Sequence, residues 1–126
     1  MKTILITAAT TLFISVSAFA TDASGTWTKK AHVIKGGWKI ENRQVDLSNF
    51  STKGAPDLKI FLSPLSASEL NNKNATKGSL LVAKLKSTRG NQSYVLPQGA
   101  DLSKYKTILI HCQKYSKLWG VASLFS

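Results

Sequence analysis

The 126 residues hold one sulfur nucleophile, Cys112, preceded directly by one of the two histidines, His111. Thiol redox chemistry needs an accessible thiolate, held at a depressed pKa by positive charge. His111 and Lys114 are near in sequence. On a strand, however, successive side chains leave on opposite faces, so His111 and Cys112 diverge. Cys112 shares its parity with Ile108 and Ile110, an apolar series that favours an inert core thiol. Reversible oxidation, a mixed disulfide with a partner, and a disulfide between two chains remain open beside it. A single cysteine excludes an intrachain disulfide and a cysteine-based zinc site.

The other polar groups are sparse. A Cys–His nucleophilic pair would have to recruit His32 from another strand, and no motif supports that. The covalent haem signature Cys-x-x-Cys-His is absent; His111-Cys112 runs in the reverse order. Only His32 or His111 could ligate a non-covalent haem, and lone strand histidines are more often surface or hydrogen-bonded groups. Pro56-Asp57 opens a strand and Asp101 sits where a turn or cap wants it, so both acids read as structural. A hard metal needs several converging oxygens, and no metal site is expected. Tyr94, Tyr105, Tyr115, Trp27, Trp38 and Trp119 read as core or girdle residues.

The elements that position these groups have a period of two, the signature of strands. Leu58, Ile60 and Leu62 share a face, as do Trp38 with Ile40 and Val45 with Leu47. Glu41-Asn42-Arg43-Gln44 between them suits a hairpin turn. Ser79 to Lys86 reads as a strand with Leu81, Ala83 and Leu85 on one face and Leu80 and Val82 on the other. Ser93 to Leu96 is short and stops at Pro97. Thr107 to Tyr115 is the longest strand signal, and Leu118 to Phe125 follows, with Gly120 marking a bulge or close packing. Ser66-Ala67-Ser68-Glu69 fits a capping box, and Asp101 to Tyr105 a second turn. Seven or more short strands imply an all-β fold, an antiparallel sandwich or barrel in one small domain.

Residues 1–20 have the grammar of a secretory signal: Lys2, an apolar run from Ile4 to Val16, then Ala18-Phe19-Ala20. The run is short for a spanning helix, which needs about 20 apolar residues. Cleavage after Ala20 leaves a domain over 21–126, periplasmic or secreted and not membrane-spanning. The chain has 17 Lys and Arg against 6 Asp and Glu, a formal +11 of which the signal carries only Lys2. The lysines are scattered. They suit either a solvated surface with guarded strand edges or attraction to an anionic envelope component or an acidic redox protein. Nucleic acid is excluded by the export signal and the lack of any nucleic-acid motif.

In series, four segments resemble the DM13 domain, the electron-transfer DM13 family. They are Gly54-Ala55-Pro56-Asp57-Leu58 with its strand to Ser63, Gly90-Asn91-Gln92-Ser93-Tyr94-Val95-Leu96-Pro97, Asp101 to Tyr105 with Ile108 to Cys112, and Gly120-Val121-Ala122-Ser123-Leu124. His32 through Gly37 and Leu47 to Phe50 fit as well. Ala55 and Ala83 stand where the family usually has Gly, and His111 replaces its common Trp before the cysteine. The resemblance implies an extracytoplasmic all-β domain with an inferred redox role. Cys112 is the redox candidate, and His111, His32, Asp57 and Tyr94 are the neighbours or ligands available to it. Haem or metal enters by family association alone, through DOMON-type partners of larger members. The expected role is a redox or electron-transfer accessory without enzymatic activity of its own. It would work with a redox partner protein or, as the alternative, bind an anionic envelope component.

Overall fold

The computed structural model describes residues 22–125. The signal segment 1–20 and its cleavage after Ala20 lie outside the described residues. Nine strands follow in order: β1 (Ala23–Thr26), β2 (Thr28–Lys29), β3 (Ile34–Glu41), β4 (Gln44–Thr52), β5 (Leu58–Ser63), β6 (Leu80–Lys84), β7 (Gln92–Val95), β8 (Thr107–Cys112) and β9 (Lys117–Ser123). They form two antiparallel sheets, one ordered β1-β3-β4-β7 and the other β2-β9-β8-β5-β6. The all-β expectation holds, and the choice between sandwich and barrel resolves to a sandwich.

The alternating apolar positions meet between the sheets. Trp38, Ile40, Val45, Leu47 and Phe50 from one sheet face Leu58, Ile60, Leu62, Ile108, Ile110 and Cys112 from the other. Each fully buried aliphatic side chain there contributes about 1.5–3 kcal/mol relative to exposure. The turn joining β3 to β4 places Asn42 at φ 52° and Arg43 at φ 63°. Both central residues are left-handed, the twist that a two-residue hairpin demands. The Arg43 guanidinium then reaches the Pro97 carbonyl at 2.6 Å, tying the hairpin to the segment after β7.

Sheet two has a second apolar face. Phe61, Leu109, Leu118 and Val121 point away from the first sheet and are covered by Leu70 and Ala75, with Leu65 and Ala67 at the margin. These covering residues come from the β5–β6 connection. It holds its shape through local hydrogen bonds, Asn71 N–H to Asn74 Oδ1 and Asn74 Nδ2 to the Glu69 carbonyl among them. Asn72 Oδ1 accepts from the Leu118 backbone N–H at 2.8 Å, and Thr107 donates to the Leu65 carbonyl at 2.7 Å. Strand β8 is therefore buried on both faces.

Two expectations are corrected. Strand β8 ends at Cys112 and not at Tyr115, because residues 113–116 turn, with Ser116 N–H on the Gln113 carbonyl and Ser116 at φ 50°. Leu81 does not share a packed face with Ala83 and Leu85. A bulge opposite Ile60–Phe61 shifts the register, so Val82 is buried and Leu81 is 45% exposed. The Ser66–Glu69 capping contacts form as expected and close a single turn, with Glu69 Oε1 accepting from Ser66 N–H at 3.0 Å. Asp101 does cap a 3-10 turn at Leu102–Lys104, accepting from Ser103 N–H.

Candidate functional site

Cys112 lies at the end of β8, paired across to Leu58 on one side and Lys117 on the other. Its exposure is 0% and its neighbours are the apolar residues between the sheets. The parity argument placed it correctly. His111 leaves on the opposite face, as alternation requires, and is 3% exposed beside Phe61, edge to face at 6.3 Å between ring centroids. Its Nδ1 is buried without a hydrogen-bond partner among the described residues. Burial holds its pKa below the usual 6.5, so the ring is neutral at pH 7.

Asp57 and Tyr94 do not join either group. Asp57 pairs with Lys59 at 3.5 Å, and its carbonyl accepts from Gln113 N–H at 3.0 Å. Tyr94 sits in the other sheet, with its hydroxyl donating to Gln92 and accepting from the Lys86 N–H at 2.8 Å. Burial raises its pKa above the usual 10.0. Among the described residues no three His, Cys, Asp or Glu side chains cluster as metal ligands. The two histidines do not converge either, since His111 faces the covered side of sheet two and His32 borders an open cleft. No ligand pair for haem is built by these residues.

The open cleft was not anticipated. It has a volume of about 400 Å³ and lies at the end of the sandwich where Cys112 terminates its strand. His32, Lys53, Tyr115, Lys117 and Trp119 line it, together with the turn Gly54-Ala55-Pro56. A bulge in β9 builds it. Ile110 pairs with Gly120 and His111 with Leu118, which leaves Trp119 as the extra residue. The freed Trp119 carbonyl accepts from the N–H groups of Lys30, Ala31 and His32, drawing the segment after β2 over the bulge. The His32 ring then rests on the Trp119 indole with centroids 4.2 Å apart. Trp119 Nε1 donates to the Lys53 carbonyl at 3.2 Å and so fixes the third wall. Gly120 is needed for this closure, since a Cβ there would meet Ile34 Cδ1 at 2.5 Å and the Thr28 carbonyl at 3.1 Å.

The cleft is cationic. None of the six acids of the chain lines it, and the ion pairs among the described residues engage Lys39 and Lys59 only. The His32 pKa is lowered from 6.5, first by burial and then by the charges of Lys53, Lys117 and Lys29. His32 is thus a neutral hydrogen-bonding group between two lysines. Tyr115, 60% exposed, adds an apolar and hydrogen-bonding surface at the rim. The sequence signals for this site were Gly120 beside Trp119 and the Gly54-Ala55-Pro56 turn, but nothing local linked them to His32.

Comparison with known proteins places the fold in context. The family model described as "Electron transfer DM13" matches residues 18–124 of the 126. The chain belongs to the DM13 family, in agreement with the resemblance carried by its motifs. No curated protein and no solved structure matches it.

Proposed function

We propose that the protein is an exported accessory domain of an electron-transfer system that docks an acidic redox partner through the basic cleft at the Cys112 end of the sandwich. One observation carries this reading: two lysines, two aromatic side chains and His32 converge on one cleft that no carboxylate lines. The family supplies the redox context. A cleft of one sign focuses field into the solvent and raises the encounter rate with an oppositely charged partner. The exposed tyrosine is the residue type that anchors such contacts. Segments of the family resemblance, Gly54-Ala55-Pro56 and the region of Gly120, meet at this cleft. Cys112 supports the reading as a packing residue next to the docking end. A thiol at 0% exposure does not exchange with a partner while the domain stays folded.

The test is binding of poly-L-glutamate, as a surrogate acidic protein face, at low and high salt. Polygalacturonate and phosphatidylglycerol vesicles serve as the comparison anions. Saturable, salt-sensitive binding that favours the polypeptide is expected, with a loss of at least about tenfold in Lys53→Glu/Lys117→Glu. Equal binding by the charge-reversed protein, or a preference for the glycan or the vesicle, would overturn the acidic-protein reading.

A further inference from the structure

The groove does not end at His32 and Lys53. Both residues also border a second lobe of about 350 Å³, closed on its far side by Lys35, Ser51, Thr52 and Arg89. Three chain segments meet there by backbone pairing. Lys35 on β3 is opposite Ser51 on β4, and Ser51 is bridged to Arg89. The Arg89 segment is held on both sides of the guanidinium-bearing residue, by Thr52 N–H to the Thr88 carbonyl at 3.0 Å and Gly90 N–H to the Phe50 carbonyl at 2.8 Å. Beside Lys35 the register shifts, so that Asn49 and Phe50 on β4 stand against Gly36 alone, whose φ of 94° no bulky residue tolerates. A bulge turns its neighbouring side chains out of the regular alternation.

The donors in this lobe are uncommitted. Lys35, Lys53 and Arg89 have no carboxylate within ion-pair distance among the described residues. The Thr52 hydroxyl is used on the Val33 carbonyl at 2.9 Å, while that of Ser51 has no partner among the described residues. Two ammonium groups and a guanidinium that share one small basin repel one another, and a compact anion relieves that repulsion. Arginine supplies a planar fork of N–H donors and lysine a point charge, the combination that suits a tetrahedral oxyanion. Val33 is the one apolar side chain of any size in the lining, so the lobe offers little to an apolar ligand.

We propose that this second lobe is a phosphate-group site, formed by Lys35, Lys53 and Arg89 with the Ser51 hydroxyl. The phosphate is free or the head of a monoester whose remainder extends along the groove. This goes beyond docking at the first lobe and does not rest on it, because Lys117 and Tyr115 take no part.

The experiment is a titration of the purified protein with inorganic phosphate at fixed ionic strength, followed by amide chemical shifts. Saturable shifts at Ser51, Lys35 and Arg89 are expected, with at least about tenfold weaker binding in Lys35→Gln/Arg89→Gln. Arg89→Lys keeps the charge and loses the fork, and is expected to weaken binding by a smaller factor. Lys117→Gln/Tyr115→Ala is expected to leave phosphate binding unchanged, which separates this site from partner docking. A second arm uses phosphatidylcholine vesicles with and without phosphatidic acid. Co-sedimentation with phosphatidic acid alone assigns a lipid headgroup as the source. Phosphate binding without co-sedimentation assigns a soluble phosphate. Linear, unsaturated shifts matched by chloride, or unchanged affinity in a folded Lys35→Gln/Arg89→Gln protein, would overturn the site.

Discussion

Thiol reactivity separates a working Cys112 from a packing one. The residue ends a strand flanked on both sides by ladders, to β5 through Leu58 and to β9 through Lys117. Its side chain is 0% exposed within the inter-sheet core. Reagent reaches the sulfur only after one of those ladders separates and the core opens, which approaches global unfolding. A domain of about 100 residues is stable by about 5–15 kcal/mol. At the lower end of that range, labelling is slowed roughly 5,000-fold relative to an unfolded thiol, at 1.36 kcal/mol per factor of ten. The assay is the rate of reaction with an aromatic disulfide reagent, in native buffer and in denaturant. Substitutions add a second reading. Cys112→Ala leaves a small void and costs about 1 kcal/mol. Cys112→Ser puts a hydroxyl where the surroundings are apolar and costs about 1–3 kcal/mol, so serine should be the worse of the two by urea denaturation. Labelling of the native protein at the unfolded rate, or a serine variant as stable as wild type, would refute the burial argument. Either result would return Cys112 to the redox chemistry for which its uniqueness recommends it.

Two further outcomes follow from the same packing. His111→Leu removes an imidazole whose Nδ1 has no partner among the described residues and should stabilise the domain by about 1 kcal/mol near pH 7. Because burial depresses the folded pKa below 6.5, the unfolded chain takes the proton first as pH falls. Stability is level above 6.5 and drops below it until the folded pKa is passed, so the variant should flatten part of that fall and leave the share of His32. Denaturant midpoints at pH 7.5 and 5.5 measure it, and an unchanged slope would count against a buried neutral ring. Gly120→Ala should cost about 1–3 kcal/mol through the contact of its methyl with Ile34 Cδ1 and the Thr28 carbonyl. A neutral effect on the melting temperature would mean that the bulge at Trp119 relaxes more easily than its three N–H contacts suggest.

The candidate site was only half legible before the fold was known. Cys112 and His111 could be assigned to opposite faces because alternation is a local property of an extended chain. The β8 series Ile108, Ile110 and Cys112 was enough to place the sulfur in the core. The apolar outer face of the same strand gave no such warning. Leu109 and His111 have a covering layer because the polar-looking segment from Pro64 to Ser79 folds over them, with its asparagines satisfying backbone groups. That segment reads as a loop in any local window.

By itself the sequence determined the period of two, the strands that follow from it, the hairpin turn at Glu41-Asn42-Arg43-Gln44 and the excess of positive charge. Each depends on residues within a few positions of one another. Tertiary structure alone decided where the charge converges. His32, Lys53, Arg89 and Lys117 come from four separate parts of the chain and share a groove because β2 pairs with β9, Ser51 bridges Arg89, and one extra residue at Trp119 bends a strand toward them. Such convergence arises from long-range pairing and a single register shift, and neither leaves a periodic trace in the order of amino acids.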